Sequence, residues 1–205
     1  MEQLIFATHN AHKANEVKNI VGELFDVKNL SEINFFDEIP ETGKTFTENA
    51  LQKAQYIHNK FNCNCFADDS GLAVDALNGA PGVLSARYAG EPSNSQRNTE
   101  KLLKALENEN NRKAQFITVI AVILDKQTYF FEGIIHGTIT DSPRGEGGFG
   151  YDPIFIPDGY DKTFAELPSD VKNQISHRAI AMEKFKQFIS KLHKQFFCFI
   201  FMKIK

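Results

Sequence analysis

Asp68 and Asp69 follow a short apolar run, Cys65 to Ala67, and precede Ser70 and Gly71. A buried strand that stops there delivers two negative charges to its own exposed end. Unpaired carboxylates in that position are costly, so a metal ion or a catalytic proton transfer is the natural compensation. Asp-Asp-Ser-Gly is also good turn chemistry, and the tetrapeptide taken alone favours a surface turn.

Three further clusters could do chemistry. The loop Thr8-His9-Asn10-Ala11-His12-Lys13 follows a strand, Leu4 to Ala7, and leads into a helical pattern with Val17, Ile20, Val21 and Leu24 on one face. A lysine in the first turn, the free N–H groups there and the positive end of the helix dipole would together hold an anion such as phosphate. An ordinary helix start explains the loop equally well. It is not a Walker loop, because the glycine run from Gly145 to Gly150 is followed by Tyr151 and no GxxxxGK[ST] occurs.

Near the C-terminus, Ser176 is a credible N-cap that places His177 and Arg178 in a first helical turn, with Lys172 just upstream. Cations at that end oppose the dipole, which favours a role in gripping an anion over a purely structural one. The apolar face of that helix is Ala181, Phe185, Phe188, Ile189 and Leu192. Finally, the glycines of Gly147 to Gly150 let a ligand approach the backbone, flanked by Phe149, Tyr151 and Asp152. Phe149 could stack on a base or fold back into the core of a hairpin loop. His12, His58, His136 and His193 read as structural or solvated, since none sits among carboxylates or cysteines.

The elements that position these residues alternate. Thr45 to Phe61 predicts a helix with Phe46, Ala50, Ala54, Ile57 and Phe61 on one face, opened by a capping box from Thr45 to Glu48. Ser95 is expected to cap a helix bearing Leu102, Leu103 and Leu106, followed by a polar connection, Asn108 to Arg112. Ala114 to Leu124 and Thr128 to Thr140 predict two long strands around Asp125-Lys126-Gln127. An adjacent hairpin cannot belong to an all-parallel sheet, so the expected fold is α/β, a mixed sheet with flanking helices.

Composition bounds the function. A chain of 205 residues with 42% hydrophobic content suits one domain, here 1–195, with room for two lobes around a cleft. A net charge of -3 leaves no broad footprint for nucleic acid, and a small anion is the better partner. Met1-Glu2-Gln3 lacks the basic start of a signal peptide, and Cys63, Cys65 and Cys198 have no zinc spacing, which suits reduced thiols in a cytoplasm. The apolar tail, 196–205, is too short to span a bilayer. It could cover an apolar patch, join a dimer interface or promote aggregation.

Five motifs together resemble the Ham1/RdgB family of inosine triphosphate pyrophosphatases. They are Thr8-x-Asn10-x-x-Lys13, Phe66 to Leu72, Ser85-Ala86-Arg87-Tyr88, Gly148 to Pro153 and Ile175 to Arg178, in the family's order, and the likeness runs from Leu4 to about Leu192. It implies hydrolysis of ITP, dITP and XTP to the monophosphate and pyrophosphate, with magnesium, in a central nucleotide cleft of a protein that is commonly a homodimer. Carried over by position, Thr8, His9, Asn10, Ala11, His12 and Lys13 hold the triphosphate, joined by Ser70. Asp69 becomes the catalytic carboxylate and a magnesium ligand. Phe149, Gly150, Tyr151, Asp152, Lys172, His177 and Arg178 fall at the base and sugar end.

Two positions depart from the family pattern. His9 stands where many relatives carry glycine, and Pro40 replaces an acidic residue, which leaves Glu41 as the nearest carboxylate for the second metal ligand. Asp68 or water could complete that shell instead. The rival readings are a Maf-type pyrophosphatase acting on pyrimidine nucleotides, or a nucleotide-binding regulator without turnover.

Overall fold

Strand β3, Cys65–Val74, runs through the aspartate pair rather than ending at it. Asp68 and Asp69 sit mid-strand and only 2% and 6% exposed, so neither the strand end nor the surface turn expected from the sequence forms. The strand can continue because it pairs along its whole length with β4, Lys113–Leu124, which satisfies the backbone while the carboxylates find partners of their own.

The computed structural model describes the backbone of residues 2–21 and 24–202 and the side chains of 3–21 and 24–191. In chain order, β1 (Glu2–Phe6), α1 (Ala11–Val21) and β2 (Phe25–Asn29) precede α2 (Phe46–Phe61) and β3. A 3-10 segment, Gly82–Arg87, and α3 (Ser95–Ala105) lead to the hairpin of β4 and β5 (Gln127–Ile139). β6 (Phe155–Pro157), α4 (Ser169–Ile175) and α5 (His177–Met202) complete the chain. The six strands form one sheet in the order β2-β1-β3-β4-β5-β6. β1 pairs in parallel with β2 and β3, and the remaining neighbours are antiparallel, which is the mixed sheet that the hairpin required.

Alternation along β3 divides the core. Phe66 faces α1 and α5, where it packs with Phe6, Val17, Ile120 and Phe185. Cys65 and Ala67 face α2, against Ala50, Ala54 and Ile57. Further along, Leu72 and Val74 join a separate core with Leu102, Phe116, Ile154 and Phe164. The polar stretch Asp68 to Gly71 is thus the crossing between two lobes, and the site lies there. Two glycines permit the close approaches that shape it. A Cβ on Gly71 would collide with the Gly82 carbonyl, and one on Gly133 with the His177 carbonyl, so the 3-10 segment and the start of α5 can lie directly on the sheet.

Helix starts follow local chemistry. Thr45 makes the expected capping box with Glu48, whose carboxylate therefore serves its own helix. Ser176 accepts the Ala179 N–H at 3.2 Å, as an N-cap should. The cap of α3 is Asn94 rather than Ser95, one residue earlier than expected. β2 and β6 were not anticipated, being a short edge strand and a three-residue strand. The tail is continuous with α5 as far as Met202, while Leu192, His193 and the tail side chains lie outside the described residues.

Candidate active site

A cavity of about 370 Å³ opens at the crossing of the lobes, and most of the residues singled out in the sequence line it. Its floor is β3. Strand alternation sends Asp68 and Ser70 towards α1 and α5, and Asp69 towards α2.

On the first side, Asp68 accepts from Lys13 Nζ at 3.1 Å, from Ser70 Oγ at 2.7 Å, and from Arg178 Nε and Nη2 at 3.1 and 3.0 Å. Burial opposes its charge, but Lys13, Arg178 and Lys53 outweigh that and hold its pKa well below the usual carboxylate range. Asp68 is therefore consumed within the fold and is not available as a metal ligand. Lys13 is pulled the other way: burial lowers its pKa, against the attraction of Asp68. The neighbouring cations Arg178 and Lys53 add to that lowering.

On the other side, Asp69 Oδ2 accepts from Asn49 Nδ2 at 3.0 Å, and its Oδ1 from the Ser70 N–H at 3.0 Å. Lys53 Nζ lies 3.8 Å from Asp69 and is in contact with Glu41. Burial raises the Asp69 pKa, opposed by Lys53, Lys13 and the Asn49 amide. Lys53 loses solvation in the same place, yet Asp69 and Glu41 outweigh that and raise its pKa, so its ammonium keeps its charge. Asn49 also accepts the Gly43 N–H at 2.8 Å, tying Asp69 to the loop that carries Glu41.

Lys53, Asn49 and Glu16 were missed from sequence. Lys53 and Asn49 share the core-facing side of α2 with Ala50, Ala54 and Ile57, and a lysine and an amide on an apolar face are the signal that marks them. Glu16 offered none, since it falls on a polar position of α1. It contacts Arg178 and lies 2.8 Å from Lys172, bridging the two cations expected to await an anion. Lys172 also donates to Asp152 at 2.6 Å. The cations around the start of α5 are thus neutralised by carboxylates of the chain itself.

The loop from Thr8 to Lys13 is internally braced. Asn10 donates its N–H to Thr8 Oγ1 at 3.1 Å and caps α1 through the Lys13 N–H at 3.1 Å. His9 turns towards the neighbouring loop, where its Nε2 lies 3.0 Å from the Asp37 carbonyl and its ring stacks on Phe35. Ala11 opens α1, and Lys13 follows two residues later. His12 stacks on Phe149 with ring centres 5.3 Å apart, which links this loop to the glycine-rich one.

At the far end, Asp152 Oδ2 accepts the Phe149 N–H at 2.7 Å as well as Lys172, and a Cβ on Gly148 would collide with that oxygen. Asp152 thus holds the loop Gly148 to Tyr151 in shape, and Gly150 takes a positive φ of 64° there. Lys172 Nζ lies 4.8 Å from the Phe149 ring centre. Tyr151 is buried and donates to the Ser85 carbonyl at 2.9 Å. His177 stacks on Phe116 at 4.8 Å, and its Nδ1 is buried without a partner among the described residues. Burial, Arg178 and Lys172 push its pKa well below the ordinary value, which keeps the ring neutral.

Asp69 and Glu41 could hold a divalent cation. Asp69 and Glu41 converge on one wall, and magnesium is commonly bound by one or two carboxylates with substrate phosphates and water completing its shell. Among the described residues no cluster of three or more acidic, histidine or cysteine side chains forms a complete protein cage.

The chain matches the model of the Ham1 family over residues 4–188. It is 53% identical to the dITP/XTP pyrophosphatase of Porphyromonas gingivalis, covering 92% of this chain and 98% of the relative. It is 50% identical to the dITP/XTP pyrophosphatase of Bacillus subtilis, with the same coverage of each. The solved Ham1 protein of Staphylococcus aureus superposes with a TM-score of 0.83 at 44% identity, over 93% of this chain and 99% of that one. That of Coxiella burnetii gives 0.84 at 37% identity, over 93% and 100%. With the family model spanning most of its length, the chain belongs to the Ham1 family.

Proposed function

We propose that the cleft hydrolyses non-canonical purine nucleoside triphosphates, ITP, dITP and XTP, to the nucleoside monophosphate and pyrophosphate, and so cleanses the nucleotide pool. The relatives named as dITP/XTP pyrophosphatases support this activity. The observation that carries it is Asp69, a nearly buried carboxylate with raised proton affinity, placed between Asn49 and Lys53 on the cavity floor. Such a group is poised to take a proton from water.

In the reaction, a water oxygen bonds to the α-phosphorus, the bridging oxygen leaves with the β-phosphorus, and the water proton passes to Asp69. Lys53 stands beside Asp69 and Glu41, and Lys13 lies at the positive end of α1, so both offer fixed charge against the negative charge that develops on pyrophosphate. Thr8, His9, Asn10, Ala11, His12 and Ser70 shape the phosphate end. Asp69 and Glu41 are the residues that would hold magnesium, which would supply Lewis-acid charge for the phosphates and the attacking water. At the base end, the neutral His177 and the Phe149 ring support purine recognition, with Gly150, Tyr151 and Asp152 shaping the loop and Lys172 and Arg178 fixing the start of α5. A base that stacks on Phe149 must extend or replace its contact with His12.

The resemblance further supports a cytoplasmic homodimer. No helix of the described residues is long and apolar enough to cross a membrane. The deciding experiment is product analysis with ITP and magnesium: IMP with pyrophosphate is expected, whereas IDP with phosphate, or binding without turnover, would reject the assignment. Faster use of dTTP or UTP than of ITP would instead favour a Maf-type specificity.

A further inference from the structure

The cations already described are each matched by carboxylates of the chain. Lys13 pairs with Asp68, Lys53 with Glu41 and Asp69, Lys172 with Glu16 and Asp152, and Arg178 with Glu16 and Asp68. Five carboxylates thus face four cations, which leaves this set negative although its substrate is a polyanion. Arg87 also lines the cavity, half-buried at the last residue of the 3-10 segment. Among the described residues nothing accepts from its guanidinium or pairs with it. It is the one lysine or arginine of the cavity wall, among the described residues, without a carboxylate.

The backbone that carries Arg87 is held firmly. Ser85 Oγ donates to the Gly82 carbonyl at 2.6 Å and accepts the Leu72 N–H at 2.9 Å, Tyr151 holds the Ser85 carbonyl, and Asn98 Nδ2 donates to the Ala86 carbonyl at 2.8 Å. Its cavity neighbours Ser93, Ser95 and Asn98 are neutral, so they offer it no ionic partner. A fixed base with an unmatched guanidinium is suited to a ligand that brings its own negative charge. The planar fork of arginine matches phosphate oxygens in pairs, and a phosphate that leaves as pyrophosphate gains charge as the bond breaks.

We propose that Arg87 binds the β,γ-diphosphate end of the substrate, the part released as pyrophosphate. The placement follows from the close contact of the 3-10 segment with β3 at Gly71, beside Ser70 and Asp69 and hence next to the scissile bond. This inference rests on the pyrophosphatase reading above.

The test compares the full-length protein with Arg87→Gln and Arg87→Lys, using ITP with saturating magnesium and measuring kcat, KM, inhibition by inorganic pyrophosphate and by IMP, thermal midpoint and oligomeric state. Arg87→Gln is expected to lower kcat/KM by about tenfold or more and to weaken pyrophosphate inhibition by a similar factor, as loss of a charge-assisted pair requires. Inhibition by IMP should stay within about twofold, and Arg87→Lys should recover part of the loss because it restores charge without the fork. Unchanged pyrophosphate inhibition, equal weakening by IMP, or a loss that tracks a lower midpoint or an altered oligomeric state would overturn the proposal. Failure of the underlying reading is seen separately, in the parent protein: release of phosphate in place of pyrophosphate would reject that reading and this proposal together.

Discussion

Asp68 and Asp69, adjacent in the chain, point to opposite faces of one strand, and their surroundings push their proton affinities apart. Lys13 and Arg178 keep Asp68 ionised against its burial, whereas burial prevails at Asp69. A pair of neighbouring carboxylates is separated in this way: one is tied to α1 and α5, and the other keeps a raised proton affinity on the cavity floor.

Asp68→Asn should destabilise the fold, because Lys13 and Arg178 lose their shared counter-charge inside the protein. Removing one partner from a buried ionic network costs about 3–5 kcal/mol. The pH dependence follows from the depressed folded pKa: the stabilisation is fully present above the unfolded value, near 3.8, and is lost as pH falls through the folded one. Urea unfolding of parent and variant at neutral pH and at several points below pH 4 (roughly the unfolded carboxylate pKa) checks this. A stability difference that stays constant across that range would count against it.

Asp69→Asn should have the opposite profile. It removes a charge that burial disfavours, so the thermal midpoint should hold or rise, while turnover falls by roughly 10²-fold or more through loss of the proton acceptor and metal ligand. Pyrophosphate release at saturating magnesium is the measurement, and activity within about threefold of the parent would remove Asp69 from the mechanism.

Lys13 forms an ion pair with the buried Asp68 and lines the cavity, so Lys13→Ala touches both folding and kinetics. The variant should lose both, with kcat/KM down by about tenfold or more and a lower thermal midpoint. A normal midpoint would show that Arg178 alone suffices for Asp68.

The hairpin, the capped helices and the five motifs were legible because each depends on local spacing or turn chemistry. Their partners were not. Nothing near Arg178 in the chain announces that Asp68, 110 residues away, accepts its guanidinium. Glu16 reads as a solvated helix position until α1 is laid against α4 and α5. The continuation of β3 through two aspartates defied its local pattern, since tertiary partners supplied what propensity withheld. Lys53 was missed too, although its place among Ala50, Ala54 and Ile57 is a local signal of a charge needing partners.

Glu41→Gln should weaken magnesium activation. The amide keeps the shape but loses the charge that the ion and Lys53 share, so the half-saturating magnesium concentration should rise by about threefold or more. Titrating magnesium against rate, alongside metal binding to the substrate-free protein, decides the point. An unchanged value in both would leave Asp69 and water as the ion's only partners besides substrate.

Base selectivity tests the far end of the cleft. Hypoxanthine and xanthine carry a carbonyl at C6 and an N1–H donor, whereas adenine carries an amino group at C6 and a bare acceptor at N1, so the pattern is inverted at both atoms. Stacking on Phe149 treats these purines alike and cannot separate them. Hydrogen bonding can, and His177, a neutral imidazole on the cavity wall, brings a ring nitrogen to the base end that stacking contacts lack. Because the ring stays neutral, its preference does not depend on protonation in the physiological range. ITP and XTP should therefore exceed ATP in kcat/KM by roughly 10³-fold or more, and His177→Phe should narrow that ratio while keeping the ring stacked on Phe116. GTP shares the 6-oxo edge, so its rejection must rest on the 2-amino group, which makes it a separate comparison. Near-equal values for ITP and ATP would remove the pool-cleansing role even if pyrophosphate were still released.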